Sequence, residues 1–506
     1  MKLIFVGNDY KYEIEAVMKL FFPAQKLEFL FIDNADGSAQ CKDCAEDFVI
    51  IEKSHSDVGV YLNVFACLEN NNCEFDSELE YDATDGECEL ELSRLLYFAL
   101  NKLTGISSEW GIITGVRPVK QVNKMISQGM NKSEIFSVLK NKFLVSEAKC
   151  EIAYDTAVSQ EPFLKRIERC GNKTFGLYIS IPFCPSRCSY CSFISQSASG
   201  KGIGKIIPLY VENICREIRY TAEITNRLGI KPDTVYFGGG TPTVLTAAQL
   251  ARIMKAVNTS FDMSEAEEYT VEAGRPDTIT AEKLKAIKEN GCTRISINPQ
   301  TLNDSVLAAI GRAHTSQQFF ESYRLARELG FDSINTDIIA GLPTDTFESF
   351  KNTLDTLIDM SPESITVHTL SIKRSARLNQ SDSKCEVLKN PAKEMVRYAA
   401  KQLYANGYKP YYLYKQKNMV ENLENIGWVK EGHESLYNIY IMEEVQTIIA
   451  MGAAGSTKLV DQKNGRLERV FNYKFPLEYN NHFNLMLERK KEIEEFYAEK
   501  ERHSEA

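Results

Sequence analysis

Six short runs rich in β-branched and aromatic residues succeed one another through the middle of the sequence, at 175–181, 234–237, 269–271, 293–297, 333–339 and 364–370. Between them, at 209–222, 247–258, 281–290, 316–329 and 347–360, apolar residues recur at spacings of three and four with charges on the opposite face. Buried strands alternating with amphipathic helices are what βαβ units produce, and they commit this part of the chain to a parallel sheet covered by helices. Six units in about two hundred residues predict an α/β fold with a partial (β/α)6, TIM-like barrel, although a doubly wound open sheet carries the same local signature. In either architecture a site is expected at the carboxyl ends of the strands.

The flanks read differently. KLIFVGN and KLEFLFID frame a helix-like stretch, VGVYLNVFACLE follows, and 119–168 reads as mainly helical. Beyond the barrel come a helix-like segment at 392–405, an aromatic run at 408–414 and a charged helical tail at 485–502, whose charges are most simply a solvated face. The expected organisation is an N-terminal α+β module over 1–168, the barrel over 169–380 and a mainly helical C-terminal domain over 381–506.

Directly after the first predicted strand, YISIPFCPSRCSYCSF sets Cys184, Cys188 and Cys191 in a C-x3-C-x2-C spacing. A loop at the carboxyl end of a strand can wrap three thiolates around one centre, and thiolates select iron–sulfur clusters, zinc or copper. Structural zinc takes four protein ligands, and no fourth cysteine or histidine lies nearby, the closest histidine being His314. Three ligands around a 4Fe–4S cube leave one iron open to a cofactor or substrate, so the spacing favours a cluster over structural zinc or simple buried thiols.

The whole-chain balance narrows the function further. A formal charge of -10 over 506 residues argues against a broad nucleic-acid footprint. No run of about eighteen uncharged apolar residues occurs, and the opening MKLIFVGNDYKYEIE turns acidic too early for a secretory leader, so a cytoplasmic protein with no membrane partner is expected. Thirteen dispersed cysteines in that compartment read as buried thiols plus one metal or redox site, not as a disulfide framework.

Further polar features fall after successive strands. Gly238-Gly239-Gly240-Thr241-Pro242 follows the second, Glu272 ends the third, Gln300 follows the fourth and Asp337 lies near the end of the fifth. A glycine run alone is usually a tight turn, and a lone carboxylate usually a surface group or cap. Their shared position on the rim that carries the cysteines is what singles them out.

Taken together, LYISIPFCPSRCSYC, GGGTPTVL, RISINPQTL, IGRAHT and NTDIIAGLPTDT, over roughly residues 174–375, resemble the oxygen-independent coproporphyrinogen III dehydrogenase (oxidase) family of the radical S-adenosylmethionine (SAM) superfamily. The chain length, the N-terminal module and YYLYKQKNMVENLENIGW look most like its longer, HemZ-like variant. The resemblance implies a radical SAM barrel holding a 4Fe–4S cluster on Cys184, Cys188 and Cys191, with SAM chelated to the open iron. Reductive cleavage of SAM then gives a 5′-deoxyadenosyl radical, which abstracts hydrogen from a substrate propionate; loss of carbon dioxide and one electron leaves a vinyl group. Coproporphyrinogen III would thus become protoporphyrinogen IX in haem biosynthesis, with an electron donor such as flavodoxin or ferredoxin as partner. By the same resemblance Tyr178 lies beside the methionine end of SAM, and Gly239, Gly240 and Thr241 present backbone to its amino group. Glu272 accepts from that ammonium, Gln300 and Arg312 hold polar groups including the carboxylate, and Asp337 accepts from the ribose hydroxyls. The residue types suit these tasks: an ammonium wants a carboxylate, a carboxylate a guanidinium and a diol an acceptor pair.

One position departs from the family pattern. Its better-characterised enzymes carry a further cysteine two residues after the third ligand, where this chain has Phe193. Related haem-trafficking proteins share that loss, so a haem carrier or chaperone on the same scaffold is the alternative reading. A radical SAM enzyme acting on RNA, such as a methylthiotransferase, usually needs an additional cluster, and no second cysteine set stands here to hold one. Lys373 and Arg374, after the sixth strand, are candidate ligands for substrate carboxylates. Tyr411, Tyr412 and Tyr414 are candidates for packing on a tetrapyrrole, although an aromatic run is more often core. Cys41 and Cys44 form a C-x2-C pair without a second pair or histidine set, and a lone histidine such as His314 is more often structural.

Overall fold

A computed structural model describes residues 1–33, 47–57, 59–193, 196–200, 202–371, 391–416 and 419–505. Cys41, Cys44, Lys373 and Arg374 lie outside the described residues. The chain divides into two compact units, Met1–Tyr154 with Glu421–Leu423, and Asp155–Val420 with Glu424–Ala506.

The first unit is built on five strands, β1 (Lys2–Val6), β2 (Glu28–Ile32), β3 (Phe48–His55), β4 (Val60–Leu68) and β5 (Asn71–Leu79), in the order β2-β1-β3-β4-β5. Pairing is parallel from β2 through β1 to β3, joined by the helix Lys11–Phe21, and antiparallel from β3 through β4 to β5. Alternation along the strands sends Leu3, Phe5, Val49, Ile51, Leu62 and Val64 to one face, where they close a core with Ile14, Val17, Leu92, Leu96 and Leu100 of the covering helices.

The second unit carries the barrel. Its strands are β6 (Thr174–Ile181), β7 (Phe183–Cys184), β8 (Gln196–Ser197), β9 (Lys231–Gly239), β10 (Glu268–Glu272), β11 (Arg294–Ser296), β12 (Ser333–Ala340), β13 (Ser364–Thr369), β14 (Lys409–Tyr414), β15 (Asn425–Val429), β16 (Ile448–Met451), β17 (Ser456–Val460) and β18 (Leu467–Phe471). All but β7 and β8 form one sheet, ordered β14-β15-β13-β12-β11-β10-β9-β6-β16-β17-β18. The run from β6 to β13 is parallel throughout, which gives the expected six barrel strands. Helices Ile203–Arg227, Ala247–Ser260, Ala281–Glu289, Ser316–Glu328 and Phe347–Met360 fill the connections. Four of them start at a threonine N-cap, Thr246, Thr280, Thr315 or Thr346, whose side chain accepts the N–H three residues on. Each cap satisfies a backbone donor the first turn leaves orphaned and fixes where the loop above the strand ends.

The C-terminal stretch shares this unit. It contributes helices Ala392–Ala405, Leu436–Glu443, Pro476–Asn481, Phe483–Arg489 and Lys491–Glu505, and it also lengthens the barrel sheet at both ends. β15 pairs antiparallel with β13, and β16 lies parallel to β6, Ala450 opposite Tyr178. The strand leading into the cysteine loop is therefore flanked on both sides. No helix among the described residues is long and apolar enough to cross a membrane.

Candidate active site

The carboxyl ends of the barrel strands open into a cavity of about 590 Å³. Cys184, Cys188, Cys191, Tyr178, Gly239, Gly240, Thr241, Glu272, Gln300, Arg312 and Asp337 all line it. Sequence positions separated by more than a hundred residues meet here because each follows, or sits within, a strand of the same parallel sheet.

The cysteine loop is fastened to the glycine turn. Gly240 N–H donates to Ile181 O at 2.8 Å and Thr241 N–H to Phe183 O at 2.7 Å, while the Thr241 hydroxyl lies 3.6 Å from Cys184 Sγ. A Cβ on Gly240 would stand 2.5 Å from the Phe183 carbonyl oxygen, and Gly239 holds φ +103°, so both positions need glycine for this close approach. Among the described residues no three His, Cys, Asp or Glu side chains converge tightly enough for a single ion. A four-iron cube, by contrast, takes each thiolate at a separate corner.

Two arginines brace the loop from behind. Arg312, 8% exposed, donates through Nη1 to Asn298 O (2.7 Å) and through Nη2 to Gly274 O (3.1 Å), with its charge beside Cys188. Its terminal nitrogens are thus partly committed to backbone carbonyls. Arg275, which the sequence reading did not single out, is held by both oxygens of Asp277 at 3.0 Å and reaches Cys188 Sγ at 3.8 Å and Ser186 O at 3.4 Å. Cations near sulfur favour thiolate over thiol, which is the form a metal cluster binds. His314 is not part of the cavity wall: burial, aided by the Arg312 charge, pushes it down to about 3, so it is neutral.

The two rim carboxylates have contrasting surroundings. Glu272 receives a single side-chain donor, the Tyr236 hydroxyl at 2.7 Å; burial, with the Asp337 charge adding, pushes its carboxyl up to about 7. Asp337 is also buried, but His368, Asn335 and Thr366 outweigh that penalty and hold it below the usual carboxylate range. Asn335 Nδ2 donates to Oδ1 at 2.8 Å, Asn298 Nδ2 to Oδ2 at 2.7 Å, and His368 Nε2 stands 3.7 Å from Oδ2. His368 is a second residue the sequence reading missed. Between the carboxylates, Gln300 adopts a left-handed φ of +65° with its backbone locked to Asp337 O and Ile339 N–H, and its buried Oε1 has no hydrogen-bond partner. An under-compensated carboxylate and an orphaned amide oxygen on one rim fit a ligand bearing an ammonium and other donors, as SAM does.

Aromatic rings make the remaining wall. Tyr178, Tyr236 and Tyr437 stack nearly parallel, with Tyr236 and Tyr437 centroids 4.4 Å apart and Tyr178 at 6.3 and 6.1 Å from them. Tyr412 and Tyr414 also line the cavity, stacked at 6.2 Å, whereas Tyr411 belongs to the packed core behind them. Phe193 stands at the mouth, 66% exposed.

Known proteins share the family and the fold. The radical SAM superfamily model matches residues 178–357. The oxygen-independent coproporphyrinogen-III oxidase-like protein HemZ of Bacillus subtilis is 38% identical over 408 residues, covering 79% of this chain and 81% of that protein. The haem chaperone HemW of the same organism is 35% identical over 197 residues, covering 39% of this chain and 50% of HemW. Among solved structures, the coproporphyrinogen III oxidase HemN of Escherichia coli, a radical SAM enzyme, is similar in fold, with a TM-score of 0.50 and 22% identity over 65% of this chain and 73% of HemN.

Proposed function

We propose a tetrapyrrole-oxidising function for this chain, which belongs to the radical SAM superfamily and, within it, to the oxygen-independent coproporphyrinogen-III oxidase-like family. The reaction we assign is oxidative decarboxylation of coproporphyrinogen III to protoporphyrinogen IX. The observation that carries it is the meeting, in one tyrosine-walled cavity, of the three cysteines with Glu272, Gln300 and Asp337.

When bound, the cluster and SAM supply a hydrogen-abstracting radical; the protein's own residues orient and contain it. Cys184, Cys188 and Cys191 hold the cluster, with Arg275 and Arg312 behind Cys188. Glu272 takes the SAM ammonium, a cation that restores the charged carboxylate burial disfavours. Gln300 offers its spare oxygen to the same ligand, and Asp337, kept ionised by its donors, accepts from the ribose. Tyr178, Tyr236 and Tyr437 present flat faces and exclude water, while Tyr412 and Tyr414 offer a surface for the macrocycle.

A second reading rests on Phe193, which occupies the position where family dehydrogenases carry a further cysteine, and on the likeness to haem chaperones. One experiment separates the two. The full chain is reconstituted anaerobically, supplied with SAM, a strong reductant and coproporphyrinogen III, and its products are followed by mass spectrometry. Loss of two carboxyl groups alongside 5′-deoxyadenosine supports the dehydrogenase. No tetrapyrrole turnover, together with a Soret band that survives gel filtration after haem addition, transfers the assignment to haem handling.

A further inference from the structure

The cavity does not end at the rim. On the β11 line, residues Arg294, Ser296 and Asn298 all line it while Ile295 and Ile297 are buried in the core, so polar and apolar side chains alternate between barrel interior and outer layer. Arg294 stands at the inner end of this row, about 13 Å below Asn298 for extended backbone. Only 4% exposed, it is a cation deep inside a barrel.

Its surroundings leave that charge poorly matched. The guanidinium makes one long side-chain hydrogen bond, Nη2 to the Tyr411 hydroxyl at 3.5 Å, and its buried Nε has no partner. Among the described residues no carboxylate oxygen lies within 4 Å of it. Glu268 adds attraction from further away, but its oxygens are committed to the hydroxyls of Thr270 (2.6 Å) and Ser435 (2.8 Å) and to Tyr437 N–H (3.1 Å). A guanidinium offers five donors in a planar fork, and a buried one ordinarily finds acceptors for most of them.

A second donor converges on the same oxygen from another element. Asn438, on the helix Leu436–Glu443, also lines the cavity, and its Nδ2 points at the Tyr411 oxygen at 3.3 Å. Tyr411 lies in the core behind both residues and holds them side by side. A guanidinium and a carboxamide from separate elements, the first cationic and under-partnered, form a receptor for a carboxylate.

We propose that Arg294 and Asn438 form an inner carboxylate subsite that receives one acidic arm of the ligand and sets its depth in the barrel. Building on the tetrapyrrole reading, the arm is a propionate of the macrocycle; on the same reading the carboxylate of SAM, the other acidic group this site would meet, belongs at the cysteine rim. The subsite makes the cavity selective for ligands whose acid group projects well beyond a flat body.

The test uses the full chain with its cluster reconstituted, and three probes: coproporphyrin III, its tetramethyl ester and SAM. Arg294→Gln is expected to weaken coproporphyrin III about 10- to 100-fold while the ester moves less than about threefold, and Arg294→Lys is expected to recover part of the loss. Should Arg294→Gln prove unfolded, Asn438→Ala replaces it, with the same acid-selective loss at smaller size. Equal weakening of acid and ester, unchanged affinity for the acid, or a loss falling on SAM would each overturn the subsite. If wild type binds neither porphyrin, the tetrapyrrole reading falls, and millimolar propionate then decides the subsite alone: stabilisation of wild type but not Arg294→Gln keeps it, and equal Tm shifts remove it.

Discussion

The β10 and β12 sides of the cavity rim present the same chemical group and treat it in opposite ways. Glu272 has one phenol to lean on and sits with a carboxyl near pH 7, whereas Asp337 is surrounded by donors and stays below the normal range. Burial acts on both; the number of donors decides the sign. One side is thus an anion kept charged by its own donors, and the other is left incomplete until a cation arrives. Such asymmetry lets one rim take a zwitterionic ligand in a single orientation.

The largest effect that breaks this contrast is expected from Glu272→Gln. If Glu272 takes the SAM ammonium, the substitution raises the SAM Kd of the reconstituted protein about 100-fold or more. Equilibrium dialysis under argon measures this, and a change below threefold would place the ammonium elsewhere.

Next in size is the pH response of the SAM-free protein. Between the ordinary glutamate value of 4.5 and about 7, the folded chain keeps a proton at Glu272 that the unfolded chain has released. Stability therefore falls as pH rises through this window, by up to about 3 kcal/mol from this group. Urea unfolding at pH 5 and 8 should show that loss in wild type and not in Glu272→Gln.

Asp337→Asn should act the other way. It loses an anion that is fully stabilising above the unfolded value near 3.8 and protonates only at lower pH, so at pH 7 it destabilises by about 2 kcal/mol, with no matching penalty in Glu272→Gln. Equal destabilisation by the two variants at pH 8 would erase the distinction. Smallest is Tyr236→Phe, which removes the lone donor from Glu272 and should weaken SAM about three- to tenfold, with its carboxyl titrating still higher.

Much of this arrangement is legible in the amino-acid sequence. β-branched runs at regular intervals announce the barrel strands, apolar residues three and four apart announce the helices between them, and C-x3-C-x2-C stands out because three thiols in eight residues read as one metal site. Glu272, Gln300 and Asp337 stand out in the sequence by their place at or after strand ends, a rule of topology that needs no contact information. What stayed hidden depends on long-range packing. Nothing near Arg275 in the sequence reveals Ser186 and Cys188 beside it, and His368 looks like one more residue in a strand. β16 is four residues long and joins a strand some 270 positions earlier, beyond the reach of local periodicity. Arg294 did leave a trace: polar Arg294, Ser296 and Asn298 alternate with isoleucines, a pattern expected of a strand with a polar inner face.

That pairing of β6 with β16 also dictates an order of events during synthesis. The strand that leads into the cysteine loop emerges early, yet its outer neighbour is among the last strands to leave the ribosome. Until then one edge of β6 lies open, with the loop-closure entropy of almost the whole barrel still to be overcome. A nascent chain halted before residue 448 would expose a row of unpaired backbone groups along β6 where the finished protein has a sealed edge.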